Sequence, residues 1–127
     1  MKPTLRTTIA AISLSVAVSA CAGDDTTTAP LEPIPAGADG AVVYQARCAS
    51  CHGEDLRGTD KGPSQLSIVY EPNHHGDDAY RSAILNGVVQ HHWGFGNMPA
   101  VEDITDEQIE LVINYIRNQQ QTFGFER

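Results

Sequence analysis

Residues Cys48-Ala49-Ser50-Cys51-His52 place two thiols and an imidazole within five positions. Cys-x-x-Cys-His is the spacing of c-type haem attachment. Two thiols on adjacent helical turns can each add to one vinyl group of a porphyrin. The next residue, His52, is then placed under the iron and offers a ring nitrogen as proximal ligand. A Cys-x-x-Cys pair is also half of a zinc site, or a redox dithiol. The pentapeptide alone leaves all three chemistries open, and the rest of the chain must choose.

The elements around the motif read as helices. Asp39 can cap a helix beginning near Gly40, with Ala41, Val42, Val43, Tyr44 and Ala46 as its apolar side, running into Cys48. Asp77 to Asn86 reads as a shorter helix carrying Ala79, Tyr80, Ala83, Ile84 and Leu85, with Gly87 to stop it. Thr105-Asp106-Glu107-Gln108 is a capping box. Ile109, Val112, Ile113 and Ile116 recur after it at helical spacing, widened by Leu111 and Tyr115. No segment makes a convincing strand. Ser67-Ile68-Val69-Tyr70 is the best candidate, and Pro72 weakens it.

The N-terminal third is different. Met1, Lys2 and Arg6 form a positive start, followed by an apolar stretch from Ile9 to Ala20 broken only by small serines. It is too short to span a bilayer and has the layout of a secretory signal, residues 1–20. Without a twin-Arg pair, the expected route is Sec. Val18-Ser19-Ala20-Cys21 resembles the bacterial lipobox, which would make Cys21 a lipidated first residue. Ordinary cleavage after Ala20 or Ala22 is the competing reading. Lipidation would use the one cysteine outside the motif and leave no odd thiol in an exported chain. With two or three acyl chains the anchor would be stable.

Residues 21–37 continue as the lipidated cysteine and a tether rich in Pro, Thr and acid, which cannot bury a core. About sixteen such residues give a reach on the order of 20–25 Å. Residues 38–127 then form one small domain. The formal charge of the 127-residue chain is −8, and loss of Lys2 and Arg6 with the signal would make it about −10. Such a surface argues against nucleic acid and for a basic patch on a partner, or plain solubility.

The chain resembles the class I c-type cytochromes in their small monohaem bacterial form. The resemblance covers roughly residues 39–121. It rests on Cys48-Ala49-Ser50-Cys51-His52, Gly62-Pro63, Met98-Pro99 and the first and last helices. It implies an all-α cytochrome c fold of three to four helices, with the N- and C-terminal helices crossed around one covalently bound haem c. It also implies that Gly40 allows a close crossing, with Tyr44 and Tyr115 packed around it. The Pro63 carbonyl would accept from the His52 ring and fix its tautomer.

Met98 is the candidate sixth ligand. The only other methionine, Met1, leaves with the signal. Met98 lies 46 residues beyond His52, in the loop Gly94-Phe95-Gly96-Asn97-Met98-Pro99. Its glycines let backbone pass close to a flat ligand. Met/His ligation raises the reduction potential. In related cytochromes a Trp five residues before the ligand Met hydrogen-bonds a haem propionate, and Trp93 has that spacing.

Two vicinal pairs, His74-His75 and His91-His92, complicate the assignment. Any of the four could rival Met98, or together they could gather a transition metal. Exposed or hydrogen-bonding roles are the expectation. His91 or His92 beside a propionate would couple potential to pH. Arg81 and Lys61 could neutralise propionates, but as lone charges they read as surface groups.

An iron held by His52 and Met98 has no open position. The expected function is one-electron transfer between extracytoplasmic redox partners such as an oxidase, reductase or dehydrogenase. It is not expected to be an enzyme. Two rivals remain: a haem enzyme or gas-binding protein with a labile Met98, and a zinc or copper module using Cys48, Cys51 and the loop histidines.

Overall fold

The computed structural model describes residues 32–127. The export signal, Cys21 and most of the expected tether lie outside the described residues. Four α-helices follow in order: α1 Gly40–Arg47, α2 Ala49–His52, α3 Asp77–Asn86 and α4 Asp106–Phe123. No β-strand occurs among the described residues, only two isolated bridges, Ser67 with Glu126 and Val88 with Met98. The all-α expectation holds.

The helix ends follow from local chemistry. The Asp39 carboxylate accepts from Val42 N at 3.0 Å and starts α1. Thr105 and Gln108 form a reciprocal capping box at the start of α4, each side chain accepting from the other's backbone N–H. Acidic Asp106 and Glu107 occupy that first turn, where the helix dipole favours them. Gly87, at φ +71°, ends α3.

The first helix runs from Gly40 into Cys48 as expected. Its last residue is Arg47, and Cys48, at φ −120° and ψ −36°, separates it from the single turn of α2. Ser67-Ile68-Val69-Tyr70, the best strand candidate, is instead a turn of 3-10 helix over Ile68–Tyr70. The Ser67 hydroxyl accepts from Val69 N and caps it. The chain there pairs through tertiary contact, Ile68 N donating to Glu126 O at 2.8 Å.

The core lies where α1 and α3 pack on α4. Val43, Tyr44, Leu66, Ile109 and Val112 are wholly buried, and Ile113, Ile116 and Ile84 nearly so. α1 crosses α4 so closely that a Cβ on Gly40 would lie 2.1 Å from Leu111 O. Tyr44 and Tyr115 rings meet beside this crossing, centroids 5.5 Å apart. The end of the expected tether is not free of the domain: Ile34 is half-buried against the core, and Glu32 O accepts from Arg47.

Candidate functional site

The motif sits at the break between α1 and α2, and α1 holds it directly. The Tyr44 hydroxyl donates to Gly53 O at 2.9 Å, just past His52. Burial, and then the neighbouring Cys48 sulfur, push the Tyr44 pKa up, so it remains a donor. The loop that follows wraps the motif. Gly58 N donates to His52 O at 2.8 Å, and the Thr59 hydroxyl to Cys51 O at 2.6 Å. Gly62 passes so close that a Cβ there would lie 3.3 Å from His52 Cε1.

This wrapping delivers Pro63 to His52. The Pro63 carbonyl lies 2.9 Å from His52 Nδ1. A carbonyl only accepts, so Nδ1 carries the proton and Nε2 keeps its lone pair. Burial lowers the His52 pKa, and the Pro63 contact partly opposes this, so the ring is neutral. The Gln65 amide nitrogen lies 2.8 Å from the same Nδ1. An amide N–H and a carbonyl cannot both be partners of one N–H. Turning the Gln65 amide over removes the conflict and presents Oε1 to the ring. The Tyr80 hydroxyl lies 2.9 Å from the other end of that amide.

Met98 is positioned from the opposite direction. Val88 N donates to Met98 O, and Met98 N to Val88 O, both at 2.9 Å. Gly87 makes this bridge possible: a Cβ there would lie 2.5 Å from Met98 O. Val101 N then donates to Ile84 O, fastening the loop to the end of α3.

His52 and Met98 line one cavity of about 470 Å³, together with Cys48, Pro63, Gln65 and Trp93. Tyr44, Ile84, Val112 and Ile116 supply apolar wall from three helices, and no Asp, Glu, Lys or Arg is among the lining residues. Cys51 is half-buried beside the motif but does not line the cavity. Both thiols are free. Burial first, and then the Cys51 sulfur, push the Cys48 pKa to about 12, with Arg47 partly opposing.

Arg81 and Lys61 are surface groups, as expected. Arg81 does not line the cavity; it pairs with Asp106 and Glu110 on α4. Lys61 is exposed and also away from it. The two histidine pairs meet, with His75, His91 and His92 on the cavity wall. The donor atoms of His74, His75 and His92 lie within 4.8 Å of one another, and neither cysteine joins them. That grouping disfavours the zinc or copper module built on Cys48 and Cys51.

The sequence profile of the family described as Cytochrome c matches residues 37–120. The chain belongs to the cytochrome c family, its cofactor is covalently attached haem c, and a domain of this family supports haem-based electron transfer. It is similar to the fructose dehydrogenase cytochrome subunit of Gluconobacter japonicus, 36% identical over 87 residues. That alignment takes in 61% of this chain and 18% of the subunit, so the chain spans less than a fifth of that relative.

The side chains present fit the cofactor. Two free thiols stand at the attachment spacing, a neutral imidazole has its far nitrogen fixed as a donor, and a thioether shares the same apolar cavity. The volume lies within the range of about 300–1,000 Å³ usual for such pockets. Gln65 was not anticipated. Nothing in its local sequence marks it, since its value comes from a fold that brings it to His52.

Proposed function

We propose that the domain is a one-electron carrier, with Cys48 and Cys51 as thioether anchors and His52 and Met98 as axial ligands of haem c. The observation that carries this reading is that His52 and Met98, held by separate backbone devices, face one apolar cavity. When bound, the cofactor supplies a one-electron Fe(III)/Fe(II) couple. His52 offers Nε2 while Nδ1 stays bonded to Pro63 O, which fixes ring orientation and strengthens the donor. Met98 offers a soft, neutral sulfur, which favours the reduced state. Its backbone is pinned on both sides, so the ligand need not move with a change of charge. The apolar side chains of α1, α3 and α4 exclude water from the ligands. Trp93, half-buried on the cavity wall, is the proposed donor to a propionate.

The relative's name says it is a cytochrome subunit of a dehydrogenase. We extend that class of partner to this chain: a dehydrogenase that hands over electrons one at a time. The acidic surface suits a basic docking patch and brief encounters. Residues 1–20 are proposed as an export signal, Cys21 as a lipid anchor, residues 21–37 as the tether and residues 38–127 as the haem domain. That puts the domain on the extracytoplasmic side of a membrane.

The test is the Met98→Ala variant, matured with haem. The parent is expected to be low-spin in both redox states and slow to bind carbon monoxide. The variant should become high-spin, bind carbon monoxide rapidly and show a lower midpoint potential. A variant with the parent's spectrum and potential would overturn the assignment of Met98. A parent that is already high-spin would favour the gas-binding or catalytic reading instead.

A further inference from the structure

His74-His75 precedes α3 and His91-His92 follows it, yet the two pairs converge at the cavity mouth. His74 Nε2 and His92 Nε2 are 3.3 Å apart. Two nitrogens bound to one tetrahedral zinc at 2.0–2.1 Å are themselves separated by about 3.3 Å. The two rings therefore already stand at the edge length of a coordination tetrahedron. His75 closes the group, all three donor atoms lying within 4.8 Å of one another. Drawing the widest pair onto one ion asks for a shift of about 1.5 Å. His74 and His92 are exposed, and side-chain rotation supplies it.

The third imidazole is prepared in a way that surface histidines usually are not. His75 Nδ1 lies 2.9 Å from Val69 O. That carbonyl fixes the proton on Nδ1 and leaves Nε2 as the donor, the arrangement common behind metal-bound histidines. The His75 backbone is fastened as well: Arg117 donates to its carbonyl at 2.6 Å, and its N–H donates to Glu71 O. Tyr70 packs against the ring, centroids 5.7 Å apart. His91 stacks on His75 at 5.8 Å, but its Nδ1 is turned to Val89 O and it does not join the three donors.

We propose that His74, His75 and His92 form a binding site for a divalent transition-metal ion, Zn2+ or Cu2+, at the mouth of the haem cavity. An all-imidazole set suits these borderline ions over Mg2+ or Ca2+, which prefer oxygen. Three protein nitrogens leave the fourth tetrahedral position to solvent or to a donor from a partner.

The experiment is titration of the haem-loaded protein with Zn2+, followed by calorimetry and by metal analysis after gel filtration. Zinc is silent in the haem spectrum, which serves as the fold check on every variant. One Zn2+ per chain is expected to bind. His75→Gln and His92→Gln should each weaken binding by about tenfold or more. His91→Gln should leave it close to the parent. No saturable site overturns the proposal. So does binding that survives both ligand substitutions, which would place the ion elsewhere, or equal weakening by His91→Gln, which would mean diffuse histidine binding. A change of the haem from low-spin to high-spin in His75→Gln or His92→Gln also overturns it, because that imidazole would then belong to iron.

Discussion

Gly40→Ala tests whether the crossing of α1 and α4 sets the stability of the domain. The added methyl would stand 2.1 Å from Leu111 O and 2.8 Å from Tyr115 Cβ. A carbon approaches a carbonyl oxygen no closer than about 3.3 Å. The two helices must therefore part by roughly 1 Å, because the obstacle is backbone rather than a side chain that can turn away. A gap of that size forfeits about a quarter to a half of each contact it opens. Val43 and Tyr44 against Ile109 and Val112, all wholly buried, are the contacts at stake. Overpacking of this kind costs about 1–3 kcal/mol. Replacing Gly in a helix returns at most about 1 kcal/mol, and less at the first helical position. The net expectation is a loss of about 2 kcal/mol. For a domain of this size that is a fall in Tm of roughly 8–16 °C. The assay is thermal unfolding of haem-loaded protein by circular dichroism. A Gly40→Ala protein that melts with the parent would refute the argument.

The remaining predictions concern the polar groups and the N-terminus. Gln65→Leu removes an acceptor from the His52 ring N–H and should raise the midpoint potential by on the order of 20–60 mV in voltammetry. A fall would show that the Gln65 amide donates to His52 instead. Arg117→Met strips donors from the carbonyls of Tyr70 and His75 and from the Asp77 carboxylate. It should cost about 2–3 kcal/mol in urea unfolding, and a change within the error of the parent would count against the bonding described. The intact mass of the mature chain should include two or three acyl chains on Cys21, and an unmodified N-terminus would remove the anchor.

The helix starts were legible because each depends on three or four neighbouring residues. Asp39 and Thr105 cap their own helices, so reading the local string was enough. Ser67 to Tyr70 was the best strand candidate through its β-branched pair, yet no convincing strand; the Ser67 cap and the Glu126 contact select a 3-10 turn. In the site, Cys48, Cys51 and His52 announce themselves by spacing. Met98 stood out only by being the last methionine left; the Val88 bridge that places it is tertiary. The histidine pairs were visible as pairs, yet their meeting depends on two loops folding over the same opening, and no spacing encodes that.

The least legible feature is the one that joins the parts. Gln65 and Gln120 are the buried polar residues of an otherwise apolar core. Unpaired, each would cost about 1–3 kcal/mol. Neither is unpaired. Gln65 touches His52 Nδ1 at 2.8 Å and the Tyr80 hydroxyl at 2.9 Å. Gln120 donates to that hydroxyl at 3.1 Å and to Gln65 O at 2.7 Å. Arg117 donates to Gln120 Oε1 at 2.8 Å and to His75 O at 2.6 Å. One continuous path of hydrogen bonds thus runs from the proposed iron ligand, beneath the cavity floor, to the proposed metal site at its mouth. Apolar residues at these positions would pack a core as well, but they would orient neither imidazole. The buried amides are better understood as the means by which α4, which contributes no ligand of its own, holds both ends of the site in place.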